Sequence, residues 1–217
     1  MKKRFPLFLM LQLLFLSAWT QPFAEDIAHF KKVDSIHPPP SHAILFVGSS
    51  SFTKWTDVQD YFPGHTIINR GFGGSSLPDV IRYATDVIFR YDPRQVVIYC
   101  GENDLAASDS VSGEMVAERF ITLFRMIRTV YPNLPVVYVS MKPSPSREHL
   151  KSKMIRGNLL IEKFLKKEKQ TVYIDVFHHM LGPDGKAFKP LFIEDMLHMN
   201  RKGYDIWQQL IAPHLLK

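Results

Sequence analysis

Ala43-Ile44-Leu45-Phe46-Val47-Gly48-Ser49-Ser50-Ser51 is the stretch that decides the fold. Five apolar residues read as a short buried strand, and a glycine with three serines ends it abruptly. Outward from it the pattern repeats. Apolar runs at 66–68, 96–99, 136–139 and 172–174 alternate with amphipathic segments near 77–89, 114–130, 148–167 and 201–216. Strands separated by helices of this length make βαβ units with right-handed crossovers. The expectation is an α/β three-layer sandwich, flavodoxin-like, with about five parallel strands and helices on both faces. Ser76, followed by Pro78 and Asp79, is an expected helix start, and Asn200 is the expected cap of the last helix.

In such a sheet, ligands bind outside the carboxyl ends of the strands. Three polar motifs begin there, after strands one, two and three: Gly48-Ser49-Ser50-Ser51, Asn69-Arg70-Gly71-Phe72-Gly73-Gly74 and Gly101-Glu102-Asn103-Asp104. A fourth, Asp195-Met196-Leu197-His198, follows the fifth strand just before the last helix, which can return it to the same rim.

Each motif alone has an ordinary reading. A serine-rich turn caps a helix, and a phosphate loop would need the Walker spacing and its lysine, which are absent. Gly71, Gly73 and Gly74 let the backbone approach a ligand, but a dinucleotide fingerprint needs glycine where Ser76 stands. Asn103 can donate to an oxyanion, whereas the adjacent acids cannot while ionised. An Asx turn or a metal held by Glu102 and Asp104 are the competing readings. Asp195, three residues before His198, can reach the Nδ1 side of the ring. It would fix the tautomer and stabilise the imidazolium formed when His198 takes a serine proton; a plain surface pair is the alternative. His178-His179 is a rival base, read as ordinary packing without an equally placed acid. Taken together, a serine, a glycine N–H, an asparagine amide and an Asp/His pair are the parts of serine acyl transfer.

This set resembles the SGNH hydrolases, the GDSL esterase/lipase superfamily, named for Ser, Gly, Asn and His in four blocks. Ser50, Gly74, Asn103 and His198 stand at those positions, Asp195 completes D-x-x-H, and Asn200-Arg201-Lys202-Gly203-Tyr204 is also similar to the family. The resemblance spans 43–216 and is nearest to platelet-activating-factor acetylhydrolase-like and short-chain carbohydrate esterases. It implies that Ser50, chosen among three serines, is the nucleophile, His198 the base and Asp195 its orienting acid. It implies an oxyanion hole made by the N–H groups of Ser50 and Gly74 and the Asn103 amide, with no metal or organic cofactor. The first block of the family usually reads Gly-Asp-Ser; here Ser49 replaces that acid.

The implied activity is hydrolysis of carboxylic esters, short acyl or acetyl, through an acyl-enzyme. The implied partner is a small-molecule ester, an O-acyl carbohydrate or a lysophospholipid-like compound. A non-catalytic glycan- or lipid-binding protein on the same fold is the alternative, and a nucleotide or flavin binder is a second. Phe72, Leu105, Met196 and Met199 neighbour the candidate residues and either line an acyl pocket or belong to the core. Lys142-Pro143-Ser144-Pro145-Ser146-Arg147, after the fourth strand, is expected on the same rim, with Arg147 a solvated loop residue or a contact for a polar alcohol portion.

Composition bounds the setting. Met1-Lys2-Lys3-Arg4 followed by an apolar run from Phe5 to Trp19 reads as a secretory signal peptide, cleaved after Ala24. Export to the periplasm or beyond is expected, with no stable membrane span after cleavage. Without those residues the net charge of +6 falls to +3. No basic stripe with interleaved aromatics appears, which argues against nucleic acid. A Pro-rich arm over 25–42, containing Pro38-Pro39-Pro40, reads as extended, ahead of a single domain over 43–217. His37 and His42 are expected to be solvated. Cys100 is the one cysteine, so no internal disulfide forms and stability must come from a core, which 46% hydrophobic residues permit. Its thiol is expected to be buried and inert.

Overall fold

The computed structural model describes residues 21–217, so the expected leader lies almost entirely outside the described residues. In chain order the elements are α1 (Ala24–Ile36), β1 (Ile44–Gly48), α2 (Ser50–Thr53), α3 (Val58–Tyr61), β2 (Ile67–Gly71), α4 (Leu77–Arg82), α5 (Ala84–Val87), β3 (Gln95–Tyr99), α6 (Glu102–Ala107), α7 (Gly113–Val130), β4 (Val136–Val139), α8 (Lys151–Leu165), β5 (Thr171–Ile174) and α9 (Arg201–Ile211). The five strands are all parallel, in the order β2-β1-β3-β4-β5. This is the doubly wound sheet expected from the alternating pattern, with its switch point between β1 and β3.

Period-two alternation divides the strands between two cores. Leu45, Val47, Val96 and Ile98 pack with residues of α4, α5, α7 and α8 on one face. Ile44, Phe46, Val97 and Tyr99 pack with Phe52, Trp55 and Trp207 on the other. Each fully buried Val, Ile, Leu or Phe contributes about 1.5–3 kcal/mol, and both faces are built from such residues. Register then aligns the rim: Gly48 lies opposite Gly71 on one side and Tyr99 on the other. Gly48 has φ 144°, and a Cβ there would run into the Tyr99 carbonyl. Only glycine lets β1 end this close to β3.

The expected caps form. Ser76 N–H donates to the Asp79 carboxylate at 2.9 Å, and the Asn200 side chain accepts from the Lys202 N–H at 2.9 Å. Some boundaries differ. The segment near 77–89 breaks at Tyr83 into α4 and α5, and α8 starts only at Lys151, because a 3₁₀ stretch occupies Pro145–Leu150. The short helix α6 carries Asn103 and was not expected.

The N-terminal arm is a correction. Instead of running extended, it forms the three-turn helix α1, with Glu25 and Asp26 in its first turn. Ile27, Phe30 and Asp34 recur at helical spacing and face the domain. Asp34 accepts from the Tyr91 hydroxyl at 2.6 Å and pairs with Arg70. The Arg70 guanidinium lies against the Phe30 and Tyr91 rings, at 5.1 and 4.9 Å from their centroids. Burial, followed by the Asp34 hydrogen bond, pushes the Tyr91 hydroxyl up to about 12. The prolines begin only at Pro38, after the helix has ended.

Contacts also start ahead of Ala24. Tyr83 donates to the Pro22 carbonyl at 2.8 Å, and the Phe23 ring meets Phe72 edge-on at 5.3 Å. Among the described residues no helix is long and apolar enough to cross a membrane.

Candidate active site

Ser50 is the first residue of α2, directly after Ser49, whose extended backbone turns the chain out of β1. That short helix is pinned from three sides. Phe52 N–H donates to the Ser49 carbonyl at 2.9 Å, Asn69 Nδ2 to the Phe52 carbonyl at 2.7 Å, and the Tyr204 hydroxyl to the Ser51 carbonyl at 2.9 Å. Of the three serines, Ser49 and Ser51 are buried and Ser50 is partly exposed. The Ser50 Oγ lies 2.9 Å from His198 Nε2.

His198 comes from the other end of the chain. Its Nδ1 is 2.6 Å from Asp195 Oδ2, while Asp195 Oδ1 accepts the N–H groups of Leu197 and His198 at 2.9 and 2.8 Å. This is an Asx-type turn, so one carboxylate shapes the backbone and orients the ring at once. Burial pulls the Asp195 carboxyl upward, but the hydrogen bonds from the His198 ring and from the His198 and Leu197 N–H groups outweigh it. The result is a carboxyl brought down to about 2. Two further bonds hold the loop: Ile193 N–H to the His198 carbonyl at 2.9 Å, and Ser146 N–H to the Met196 carbonyl at 3.0 Å.

Across Ser50 lie the other candidates. Asn103 Nδ2 donates to the Ser75 carbonyl at 3.0 Å and to Ser49 Oγ at 2.9 Å. Ser49 Oγ also accepts the Ser50 N–H, at 2.6 Å. Two of the candidate oxyanion donors thus already converge on one oxygen. Gly74 sits in the turn after β2 with φ 86°, a conformation that favours glycine. Its neighbour Ser75 ties that turn to Asn103 and, through Ser75 Oγ to the Gly48 carbonyl at 3.1 Å, to the end of β1. The structure therefore brings Ser50, Asn103, Asp195 and His198 into one hydrogen-bonded cluster, with Gly74 on the adjoining turn.

The neighbouring acids are engaged elsewhere. Asp104 accepts from the Leu77 N–H at 2.9 Å and from Arg119 at 2.8 Å. Burial raises its pKa from the ordinary value, outweighing the pull of both partners. Glu102 accepts from the Tyr99 hydroxyl and faces Lys142 Nζ at 3.3 Å. Among the described residues no group of three His, Cys, Asp or Glu side chains is placed to hold a metal. Phe72, Leu105 and Met199 are closed into the cores, which leaves Met196, at 37% exposure, as the one of the four open to solvent. Cys100 is buried, and burial, with Asp104 next, pushes its thiol well above the usual value.

Two readings of the sequence need correction. Arg147 is not a solvated loop residue: its side chain is 16% exposed and donates to Asn103 Oδ1 at 2.8 Å. His178 does have an equally placed acid. Asp175, three residues earlier, lies 2.6 Å from its Nδ1. The D-x-x-H spacing of Asp175 and His178 is legible in the sequence, directly after the apolar run that forms β5.

The fold recurs in solved structures. A Streptococcus pneumonia protein provisionally described as a platelet activating factor superposes with TM-score 0.75 at 18% identity, covering 88% of this chain and 92% of its own. A GDSL-like lipase from Bacteroides thetaiotaomicron gives 0.71 at 21% identity, with 87% and 97% covered. The acetyl-xylooligosaccharide esterase Axe2 from Geobacillus Stearmophilus gives 0.64 at 11% identity, with 81% and 94% covered. At these identities the likeness is one of fold. No curated protein matches the chain. Residues 44–206, from β1 into α9, match the GDSL-like Lipase/Acylhydrolase family. The chain belongs to that family of ester hydrolases.

Proposed function

We propose that the protein hydrolyses short-chain acyl esters, acetyl esters foremost, through an acyl-enzyme on Ser50. The observation that carries this reading is the unbroken chain from Ser50 Oγ to His198 Nε2 at 2.9 Å and from His198 Nδ1 to Asp195 at 2.6 Å. Ser50 Oγ bonds to the ester carbonyl carbon as its proton passes to His198 Nε2. The carbon–alkoxy bond breaks, and the leaving alcohol takes that proton. Water then gives a proton to His198 and its oxygen to the acyl carbon; the bond from that carbon to Ser50 Oγ breaks, Oγ takes the proton from His198, and the acid leaves. Asp195, a carboxylate at any pH above about 2, holds the ring and stabilises the imidazolium.

The oxyanion of each tetrahedral intermediate is received by the Ser50 and Gly74 N–H groups and the Asn103 amide. Ser49 Oγ, which accepts from two of these donors in the resting protein, gives way to the substrate oxygen. A short acyl group suits the site because Phe72, Leu105 and Met199 are sealed into the cores rather than lining an open channel. The alcohol portion is a carbohydrate or a lysophospholipid.

Labelling with a fluorophosphonate tests the nucleophile. Intact mass is expected to show one adduct, mapped to Ser50 and absent from Ser50→Ala and His198→Ala. A folded wild type that takes no label, or takes it on Ser49 or Ser51, overturns the assignment. Export belongs to the same proposal, with the leader removed upstream of Gln21 rather than after Ala24, so that the Pro22 and Phe23 contacts survive. The mass of the protein recovered after export reads the cleavage point directly, and an N-terminus at Glu25 would refute this placement.

A further inference from the structure

Asn103 can serve an oxyanion only if its Nδ2, not its Oδ1, faces Ser50. The groups around it decide that orientation. Ser75 offers a carbonyl, an acceptor only, 3.0 Å from Nδ2. Arg147 offers a guanidinium, a donor only, 2.8 Å from Oδ1. Flipping the amide would set NH₂ against guanidinium and oxygen against oxygen, losing both bonds together.

Arg147 is itself constrained. It interrupts the 3₁₀ stretch Pro145–Leu150 with φ −118° and ψ 23°, and its N–H donates to the Ser144 carbonyl at 3.1 Å. Its Nη1 is 4.0 Å from Glu102 Oε2. Glu102 is buried and is held in turn by the Tyr99 hydroxyl and by Lys142, which is 1% exposed. One residue before Arg147, the Ser146 N–H ties the same turn to the Met196 carbonyl between Asp195 and His198. The segment Lys142–Arg147 thus reaches both halves of the cluster.

We propose that Arg147 is the positioning residue of the oxyanion hole: it locks the Asn103 amide in its donating orientation, with Glu102 and Lys142 as its buried support. The proposal rests on the role given to Asn103 above. A guanidinium carries N–H donors and no acceptor, so it pairs with Oδ1 and never with the amide NH₂. It also sets a fixed positive charge one amide away from the developing negative charge, where preorganised dipoles count most. Arg147 acts through Asn103 and need not touch the substrate.

The test is a double-mutant cycle on 4-nitrophenyl acetate hydrolysis, with Arg147→Met, Arg147→Lys, Asn103→Ala and the Arg147→Met/Asn103→Ala pair. Arg147→Met is expected to lower kcat roughly tenfold, a fraction of the loss from removing the donor itself. KM should stay within about twofold of wild type, because ground-state binding is untouched. Arg147→Lys, which keeps a donor and a charge, should recover most of kcat, and this variant carries the test if the Met variant does not fold. In the Asn103→Ala background the Arg147→Met change should cost nothing further. An unchanged kcat, a change confined to KM, or full additivity in the pair would overturn the proposal; additivity with a lowered Tm would mark Arg147 as structural. If wild type neither hydrolyses the ester nor takes a fluorophosphonate on Ser50, the enzymatic reading has failed instead.

Discussion

Two Asp/His pairs in this chain have nearly the same local geometry and different surroundings. Asp195 and His198 are three residues apart, with 2.6 Å between carboxylate and Nδ1 and a His198 N–H bond of 2.8 Å to the other carboxylate oxygen. Asp175 and His178 have the same spacing, the same 2.6 Å and a corresponding N–H bond of 3.1 Å. The difference lies beyond the pair. The His198 side chain is 15% exposed and its Nε2 meets Ser50, whereas the His178 side chain is 68% exposed on the far edge of the sheet, after β5. An Asx turn readily makes an oriented imidazole; a third group and a sheltered setting make it a candidate base.

The widest separation between the two pairs should come from removing each ring. His198→Ala is expected to lower kcat by about a millionfold, as when a base that works as a unit with its nucleophile is lost. His178→Ala should keep wild-type turnover on the same ester. Comparable losses in both variants would dissolve the distinction.

Removing each acid should separate them less. Asp195→Asn is expected to cost on the order of 10,000-fold, because the amide no longer enforces the tautomer that accepts the serine proton. Asp175→Asn should leave kcat unchanged. A mild effect at Asp195 would mean that the backbone turn alone holds His198.

The smallest effect is a pH linkage. The folded-state pKa of Asp195 is depressed, to about 2, so its stabilising contribution is fully present above the ordinary carboxylate value and is lost as pH falls through about 2. Thermal melts of wild type and Asp195→Asn should therefore differ by a constant amount near neutrality and converge toward pH 2. A difference that widens on acidification would contradict the depressed carboxyl.

The scaffold was legible because it depends on periodicity and punctuation. The five apolar runs, Ser76 with Asp79, and Asn200 all act over a few residues, and they form as expected. The helix α1 is masked in the sequence by the three prolines that follow it, although Ile27, Phe30 and Asp34 stand at helical spacing. What attaches that helix is a buried pair with Arg70, 36 residues away, which no local pattern reveals. Arg147 was misread for the same reason. Its partner Asn103 is 44 residues distant, and a loop arginine that follows Pro143 and Pro145 looks solvated until the loop is folded back.

By itself the sequence determined the parallel doubly wound sheet, the four polar segments at its rim and the local turn that pairs Asp195 with His198. These follow from interactions spanning a few residues, in which propensity, capping and side-chain spacing act directly. The motifs already pointed to Ser50 and to the Asp195/His198 pair; only the tertiary structure brought that serine to that imidazole, left His178 without a serine, and decided which way the Asn103 amide faces. Each of those outcomes depends on a contact between groups far apart in the chain, and such contacts exist only once strand order and register have brought β1, β3 and the loop before α9 to the same end of the sheet.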